Sequence, residues 1–343
     1  MTSHSYDVVI IGGGPAGLGA GLTLSRARRR VLVVDAGRPR NRSAAHAHNY
    51  LGREGVPPLE LLAIGRDEVA GYGGEVRAGT VTSVTRLDSG GFRVHIAGQS
   101  TVDARRVLLA TGLVDDLPPI PGIADRWGRD VLHCPYCHGW ETRDRPVGII
   151  GVGPGSIHQA LLWRQWTDEV TLLTNDVVEP TDEDRVKLAA RGITVVAGKV
   201  ERLVVEDDAL TGIELGDGVV VAMDFAVVLP VAHAEDGPLA ELGLRAVEQQ
   251  MAGAPVGTVL PKASPSGATE VPGVWVAGNV GDHRAQVIVS AADGVMVGAQ
   301  INFDLVDEDT ARAVAAYPFT PEMEREVCDR VLADRRHGLT PSG

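Results

Sequence analysis

The feature that most constrains this chain is a supersecondary unit that occurs twice. Val8-Val9-Ile10-Ile11 is an unbroken apolar run, the mark of a strand buried on both faces. Gly12-Gly13-Gly14-Pro15-Ala16-Gly17 follows as a G-x-G-x-x-G turn, Ala20 to Ala27 reads as a helix, and Val31 to Val34 as a second strand ending on Asp35. The glycines of such a turn allow a tight bend, close approach to a pyrophosphate and close helix–strand packing, while the acid accepts from a ribose hydroxyl. The helix N-terminus offers free N–H groups to phosphates. Strand, turn, helix and acid together predict a dinucleotide site.

The second copy begins at Pro146. Val147 to Ile150 is its strand, Gly151-Val152-Gly153-Pro154-Gly155-Ser156 its turn, Ile157 to Trp166 its helix and Val170 to Leu173 its next strand. Gly12 aligns with Gly151 without a gap, so Asp35 falls on Thr174 and Ser156 stands at the third glycine. An internal repeat of this kind sets the architecture. The expected class is α/β with two Rossmann-like βαβ domains.

The intervening sequence shows how they connect. Thr80 to Arg86 and Phe92 to Ala97 read as a hairpin around Asp88-Ser89-Gly90-Gly91. Arg106 to Gly112 is a buried strand ending in a small-residue turn, Leu117 to Gly122 a stiff linker, and Leu229 to Pro238 a second crossing. The chain returns to the first domain through Gly273 to Asn279. Residues 1–115 and 236–305 are therefore expected to build one domain, with 116–235 inserted into it and 306–343 a helical extension.

With 343 residues, about two domains are expected. A net charge of −13 argues against a nucleic-acid partner, which would need a basic face. No apolar run reaches the roughly 18–20 residues of a bilayer span, so no membrane partner is expected. Met1 to Asp7 lacks the basic start of a signal peptide, which points to the cytoplasm. The cysteines, at 134, 137 and 328, are too few for a disulfide scaffold.

Cys134-Pro135-Tyr136-Cys137-His138 is the expected chemical centre. Two cysteines at this spacing close a small disulfide, and exchange through it needs an activated thiol and a nearby base. His133 and His138 flank the pair, and an unperturbed imidazole titrates at about 6.5. The same string fits a c-type haem attachment motif. It also supplies part of a zinc set, although four ligands would have to come from adjacent positions. Redox chemistry is the favoured reading, and no metal is expected.

Taken together, the G-x-G-x-x-G, the Ala110-Thr111-Gly112 string, the C-x-x-C, the second glycine turn and the late Gly278-Asn279 resemble the low-molecular-weight thioredoxin reductase family over residues 5–305. The resemblance implies an FAD domain split by an inserted NAD(P)-binding-like domain that carries the C-x-x-C, and a homodimer. It assigns FAD binding to Gly12, Gly14, Pro15, Ala16, Gly17, Asp35, Thr111, Gly112, Gly278, Asn279, Gln286 and Val287. Asn49 takes the place of the family's flavin-contacting asparagine, and Asn279 stands where the family has aspartate. It also implies that Cys137 faces the flavin while Cys134 exchanges with substrate.

Two departures redirect the function. Reductases of this family grip the 2′-phosphate of NADPH with His-Arg-Arg, and those positions here are Thr174, Asn175 and Asp176. Glu179, Asp182, Glu183 and Asp184 follow before Arg185, the first cation. An anionic stretch repels a phosphate, and an amide does not replace a guanidinium. NADH is not favoured either, since Thr174 is not an acid. The residue after the C-x-x-C, commonly Asp in the reductases, is His138.

Cys-Pro-Tyr-Cys-His-Gly resembles the dithiol oxidases of disulfide natural-product pathways, of the holomycin and gliotoxin type. That resemblance implies a small-molecule dithiol substrate, dioxygen as acceptor and no nicotinamide. His138 is then expected to move protons, and Asp282-His283-Arg284 either supplies a partner for it or the flavin through Asp282 or is a solvated charged loop. Two alternatives remain: a thioredoxin reductase-like enzyme with another donor, and a flavin–cysteine redox sensor without turnover.

His46, His48, Tyr50 and Arg53 either line the cleft around Asn49 or form a loop without ligand role. Trp163 and Trp166 are expected to pack. Thr320 and Pro321 start a helix running to Arg336 as N-cap and N1. Its Met323, Val327, Val331 and Leu332 form a stripe bordered by Cys328; core packing is expected, with a resolving thiol as the alternative for Cys328.

Overall fold

The structure is a computed structural model that describes residues 5–99, 101–251, 254–317 and 320–332. The chain divides into two compact units, Met1–Ala299 and Gln300–Gly343.

The first unit holds four sheets. The largest runs Glu75–Ala78, Val31–Asp35, Ser5–Ile11, Val102–Leu109, and continues through Phe92–Ile96 to Val81–Arg86. Its central strands are parallel. Val102–Leu109 has two partners on one side: its first half pairs antiparallel with Phe92–Ile96, and its second half parallel with Val274–Val276. The hairpin expected around residues 80–97 is present as Val81–Arg86 and Phe92–Ile96. Val8, Val9 and Ile10 are fully buried, as an apolar run covered on both faces requires.

A second sheet, Thr194–Val196, Val170–Leu173, Val147–Ile150, Phe225–Val227 and Val131–Leu132, is parallel throughout. The chain leaves the first sheet along Leu113–Asp116 and comes back along Val231–Ala234, and these strands lie side by side, Asp116 opposite Val231 and Leu113 opposite Ala234. The insertion thus starts and ends on one antiparallel pair. A three-stranded antiparallel sheet, Val200–Glu206, Ala209–Leu215 and Val220–Ala222, completes the inserted region. The protein is an α/β chain with two Rossmann-like sheets, as expected.

Both glycine turns have the geometry their sequences require. A Cβ on Gly17 would lie 1.9 Å from the Gly12 carbonyl oxygen, so only glycine lets helix Pro15–Arg26 pack on its strand. In the second copy Ser156 replaces that glycine. Its hydroxyl accepts from the Val152 N–H at 3.1 Å and reaches the Ile150 carbonyl at 3.5 Å. The following helix is Gly155–Trp163, ending earlier than expected. Trp163 is fully buried, whereas Trp166 lies beyond the helix, half-buried.

The second unit contains the end of helix Val287–Ala316 and helix Pro321–Leu332. Thr320 caps the latter, its Oγ1 accepting from the Met323 N–H at 3.3 Å. The expected core role of the stripe is corrected here. No residue of this helix is buried, Val327, Val331 and Leu332 are exposed, and Cys328 with them. Amphipathic spacing marks an apolar face, but a face is buried only where another surface covers it. Arg336 lies outside the described residues. Among the described residues no helix is long and apolar enough to cross a membrane.

Candidate active site

A cleft of about 880 Å³ lies in the first unit. One wall is the first glycine turn with Asp35, Thr111, Gly112, Asn279, Gln286 and Val287, and the other carries His133, Cys134, Cys137 and His138. The two groups of residues singled out from sequence therefore face one cavity. Gly14, Pro15 and Ala16 line it as well.

The glycine wall fits FAD. Gly12 sits at φ +107°, and a Cβ there would meet the Ala110 carbonyl oxygen at 2.4 Å, so the turn packs tightly on the next strand, whereas Gly14 faces open space on the cleft. Asp35 accepts from the Gly13 N–H at 3.3 Å and the Gly37 N–H at 3.2 Å, which sets its carboxylate at the end of its strand. Thr111 Oγ1 and His283 Nε2 are buried without a protein partner. Buried polar atoms in native sites have partners, so both atoms await a bound group. Gly17 and Gly278 are not on the cavity surface; they allow close packing beneath it, a Cβ on Gly278 meeting that of Ala16 at 2.7 Å.

Asn279 acts as a donor. Its Nδ2 donates to the Asp282 carbonyl at 3.0 Å and the Ala285 carbonyl at 2.8 Å. These bonds fold residues 278–286 back on themselves. Asp282, expected either to partner His138 or the flavin or to lie in a solvated loop, bonds the Arg284 N–H here at 3.0 Å.

The redox pair sits on a single helical turn, Pro135–His138, with Cys134 as its N-cap residue and Pro135 at N1. The Cys137 and His138 N–H groups both donate to the Cys134 carbonyl at 3.1 Å. Both cysteines are free thiols, half-buried. A hydrogen bond from the Cys137 thiol, together with the backbone N–H groups of Cys137 and Tyr136, pulls Cys134 below the ordinary thiol range despite burial. Cys137 is pushed up by that hydrogen bond, by burial and by the Cys134 charge. The pair thus holds its negative charge on Cys134. Tyr136 meets the Trp166 ring edge-on at 5.7 Å, and a Cβ on Gly139 would strike Trp166 at 2.7 Å. Trp166 therefore braces the cysteine turn besides packing.

The two histidines differ. Burial, with Arg40 adding, pushes His133 down to about 4, and its ring stacks on Trp127 at 5.7 Å. Burial also lowers His138, while Glu141 works against it. His138 is accordingly a neutral base at pH 7. Asn49 adopts φ +60° and its Nδ2 donates to the Tyr136 carbonyl at 2.7 Å, so its side chain touches the cysteine turn rather than lining the cavity.

Sequence reasoning missed Arg40. Its guanidinium grips Asp115 through Nε at 3.1 and 2.9 Å and through Nη2 at 2.5 Å, and both residues line the cleft. The only local signal is the basic run Arg38 to Arg42 just after Asp35; nothing in it points to Asp115.

The second glycine turn has a different surround. Thr174 is buried, and Asn175 and Asp176 both adopt positive φ, 53° and 52°. The Asn175 side chain donates to the Gly151 carbonyl at 3.0 Å and accepts from the Val200 N–H at 2.8 Å. Arg185 pairs with Glu179 at 3.0 Å.

The model of the pyridine nucleotide-disulphide oxidoreductase family matches residues 6–294. The chain belongs to that family. It is accordingly an FAD-binding oxidoreductase acting on disulfides. Among solved structures, this oxidoreductase is similar to HlmI, at 46% identity over 92% of this chain and 97% of that one, with a TM-score of 0.84. It is also similar to an oxidoreductase from Agrobacterium tumefaciens, at 35% identity over 88% and 99%, with a TM-score of 0.81. Among curated proteins it is 30% identical to the thioredoxin reductase tcpT of Claviceps purpurea, over 89% of this chain and 96% of that protein.

Proposed function

We propose that this oxidoreductase is a dithiol oxidase. It closes an intramolecular disulfide in a small-molecule dithiol with dioxygen as acceptor, R(SH)2 + O2 → RS2 + H2O2, and works as a homodimer. The observation that carries the reading is the second glycine turn. The position where a 2′-phosphate would need a cation holds Asn175, whose amide is tied to Gly151 and Val200, followed by the Asp176 carboxylate. A bidentate cation is what recognises a phosphate, so electrons are better supplied through Cys134 and Cys137.

The residues that would hold FAD are Gly12, Gly14, Pro15, Ala16, Asp35, Thr111, Gly112, Asn279, Gln286 and Val287 on the cleft, with Gly17 and Gly278 packing beneath them and Asn49 bonded to the cysteine turn. Bound there, FAD supplies a two-electron acceptor beside the cysteine pair. The chain's own residues do the rest. A substrate thiol gives its proton to His138, which burial keeps neutral. The sulfur attacks Cys134 of the oxidised pair, and the Cys134–Cys137 bond breaks with its electron pair leaving on Cys137. The second substrate thiol then attacks its own first sulfur and Cys134 leaves. A thiol of lower pKa leaves faster, and Cys134 is the one lowered. His133, pushed down to about 4, is too weak a base to hold an added proton at pH 7.

The family description and the name of the Claviceps relative favour a second reading, a disulfide reductase driven by a nicotinamide. One experiment separates the two. Anaerobic holoenzyme is mixed with dithiothreitol or with NADPH, and the flavin absorbance is followed. Bleaching by the dithiol alone, with peroxide formed once air is admitted, is expected. Bleaching by NADPH alone refutes the oxidase.

A further inference from the structure

The cleft does not end at the cysteine turn. On the side of the inserted region it is also lined by Gln159, Leu162, Leu229 and Pro230, none of which is among the residues that would hold FAD. Gln159 and Leu162 stand three apart on helix Gly155–Trp163, and residues so spaced share a helix face. Leu229 packs on the start of that helix, its Cδ1 2.9 Å from where a Cβ on Gly155 would lie. The end of the helix reaches the cysteine turn through stacked rings. Trp163 lies 6.4 Å from Trp166, and Tyr136, between the two cysteines, meets Trp166 edge-on and lines the cleft as well. This part of the cleft therefore adjoins Cys134, where a dithiol has to lie in order to react.

Three of its four residues are apolar, and the fourth is held in one orientation. Trp163 is fully buried, and a buried indole N–H, which can only donate, needs an acceptor. That acceptor is Gln159 Oε1, at 3.0 Å from Trp163 Nε1. An indole N–H pairs with the amide oxygen and not with the amide nitrogen, so the amide cannot flip. Its Nε2, carrying two N–H groups, is turned away from Trp163, and no protein acceptor meets it among the described residues. Gln159 itself is half-buried on the cavity wall.

We infer that Gln159 is a specificity-determining residue, whose Nε2 donates to a neutral carbonyl oxygen of the substrate. The dithiol taken is then a largely apolar molecule that carries an amide carbonyl. A carbonyl oxygen has lone pairs and no proton, which matches an NH2 group that can only donate. A carboxylate or phosphate is read by a cation, and the four residues of this lobe include none. A site with a donor set in apolar surroundings discriminates against an analogue lacking the acceptor, because the donor is then left unpaired.

This inference deepens the dithiol oxidase reading and rests on it, and the test keeps the two apart. Anaerobic flavin reduction is timed with two probes. One is N,N′-dimethyl-N,N′-bis(mercaptoacetyl)hydrazine, a dithiol with amide carbonyls; the other is butane-1,4-dithiol, which has no carbonyl. Each is mixed with wild-type holoenzyme, Gln159→Glu and Gln159→Leu. Gln159→Glu keeps an oxygen for Trp163 Nε1 and exchanges the free donor for an acceptor, so the fold is preserved while the recognition is lost. Its second-order rate constant for the amide probe should fall by about tenfold, the effect of one hydrogen bond left unmade, and that for butane-1,4-dithiol should stay within about twofold. Gln159→Leu should discriminate in the same sense and also melt at lower temperature, because Trp163 loses its acceptor. Dividing each variant's rate constant by that of wild type removes the difference in thiol reactivity between the probes. Equal losses for the two probes, or no loss for either, overturns the assignment and leaves Gln159 as the acceptor of Trp163 alone. If neither probe bleaches the wild type, the dithiol oxidase reading falls and the assignment falls with it.

Discussion

Replacing Asn279 with aspartate tests the reading of the flavin-side loop. The resemblance to thioredoxin reductases expects aspartate there, and Asn279→Asp changes one amide nitrogen to oxygen. In this structure that nitrogen donates to the carbonyls of Asp282 and Ala285 at 3.0 and 2.8 Å. Each bond lost forfeits about 0.5–1.5 kcal/mol, and a buried acceptor left without a donor costs about 1–3 kcal/mol. The site is partly open to water, so the low end applies, and the sum is about 2–4 kcal/mol at pH 7. Protonation of the new carboxyl would give back one O–H donor, so its folded pKa is raised above the unfolded value of about 3.9. The sign follows from linkage: the penalty is small below pH of about 4 and grows to its full size as pH rises through the folded pKa. Urea unfolding of flavin-free protein at pH 7 and at mildly acid pH measures it, and the midpoint should fall with little change in slope. Stability within about 0.5 kcal/mol of wild type at pH 7, or a penalty that deepens on acidification, would refute the assignment of Asn279 as a donor.

Three further outcomes follow from the site. Asn175→Arg should lower thermal stability, because it removes the contacts to Gly151 and Val200, and should not yield flavin bleaching by NADPH; a gain of bleaching with no loss of melting temperature contradicts the tie. In reduced protein, Cys134 should react with iodoacetamide at pH values where an ordinary thiol, half-ionised at about 8.5, is mostly protonated, and Cys137 only at higher pH; peptide mass spectrometry across pH reads the order. Gly17→Ala places a Cβ 1.9 Å from the Gly12 carbonyl oxygen, so the protein should be recovered without FAD or not fold, as the flavin absorbance of the purified protein will show.

What was legible in the sequence was local. Val8 to Ile11 announced a doubly buried strand by composition alone, and Gly12 and Gly17 announced a turn that tolerates no Cβ. Thr320 announced a helix start, and its hydroxyl does cap Met323. What escaped needed a partner far along the chain. Arg40 meets Asp115 across 75 positions, and Asn49 meets Tyr136 across 87. A single Arg or Asn carries no sign of which distant group it will face. The Met323 to Leu332 stripe failed for another reason: periodicity reports that a helix has an apolar face, and says nothing of whether a surface comes to cover it.

The two copies of the repeat show where packing and ligand binding part. Both keep the features that let a helix start hard against its strand: Gly17 in the first, and in the second Ser156, whose hydroxyl does with hydrogen bonds what a missing Cβ does with space. These are demands of the fold, and the second copy meets them. The position after the next strand makes no such demand, and there the copies differ. Asp35 holds two N–H groups of its own turns and keeps its carboxylate on the cleft. Thr174 is buried instead, and Asn175 beside it bonds backward to Gly151 and forward to Val200, closing its turn on itself. An amide can serve as donor and acceptor in that closure, and neither a carboxylate nor a guanidinium can do both. The same amide that staples the second turn is neutral, where the first turn ends on the charged Asp35.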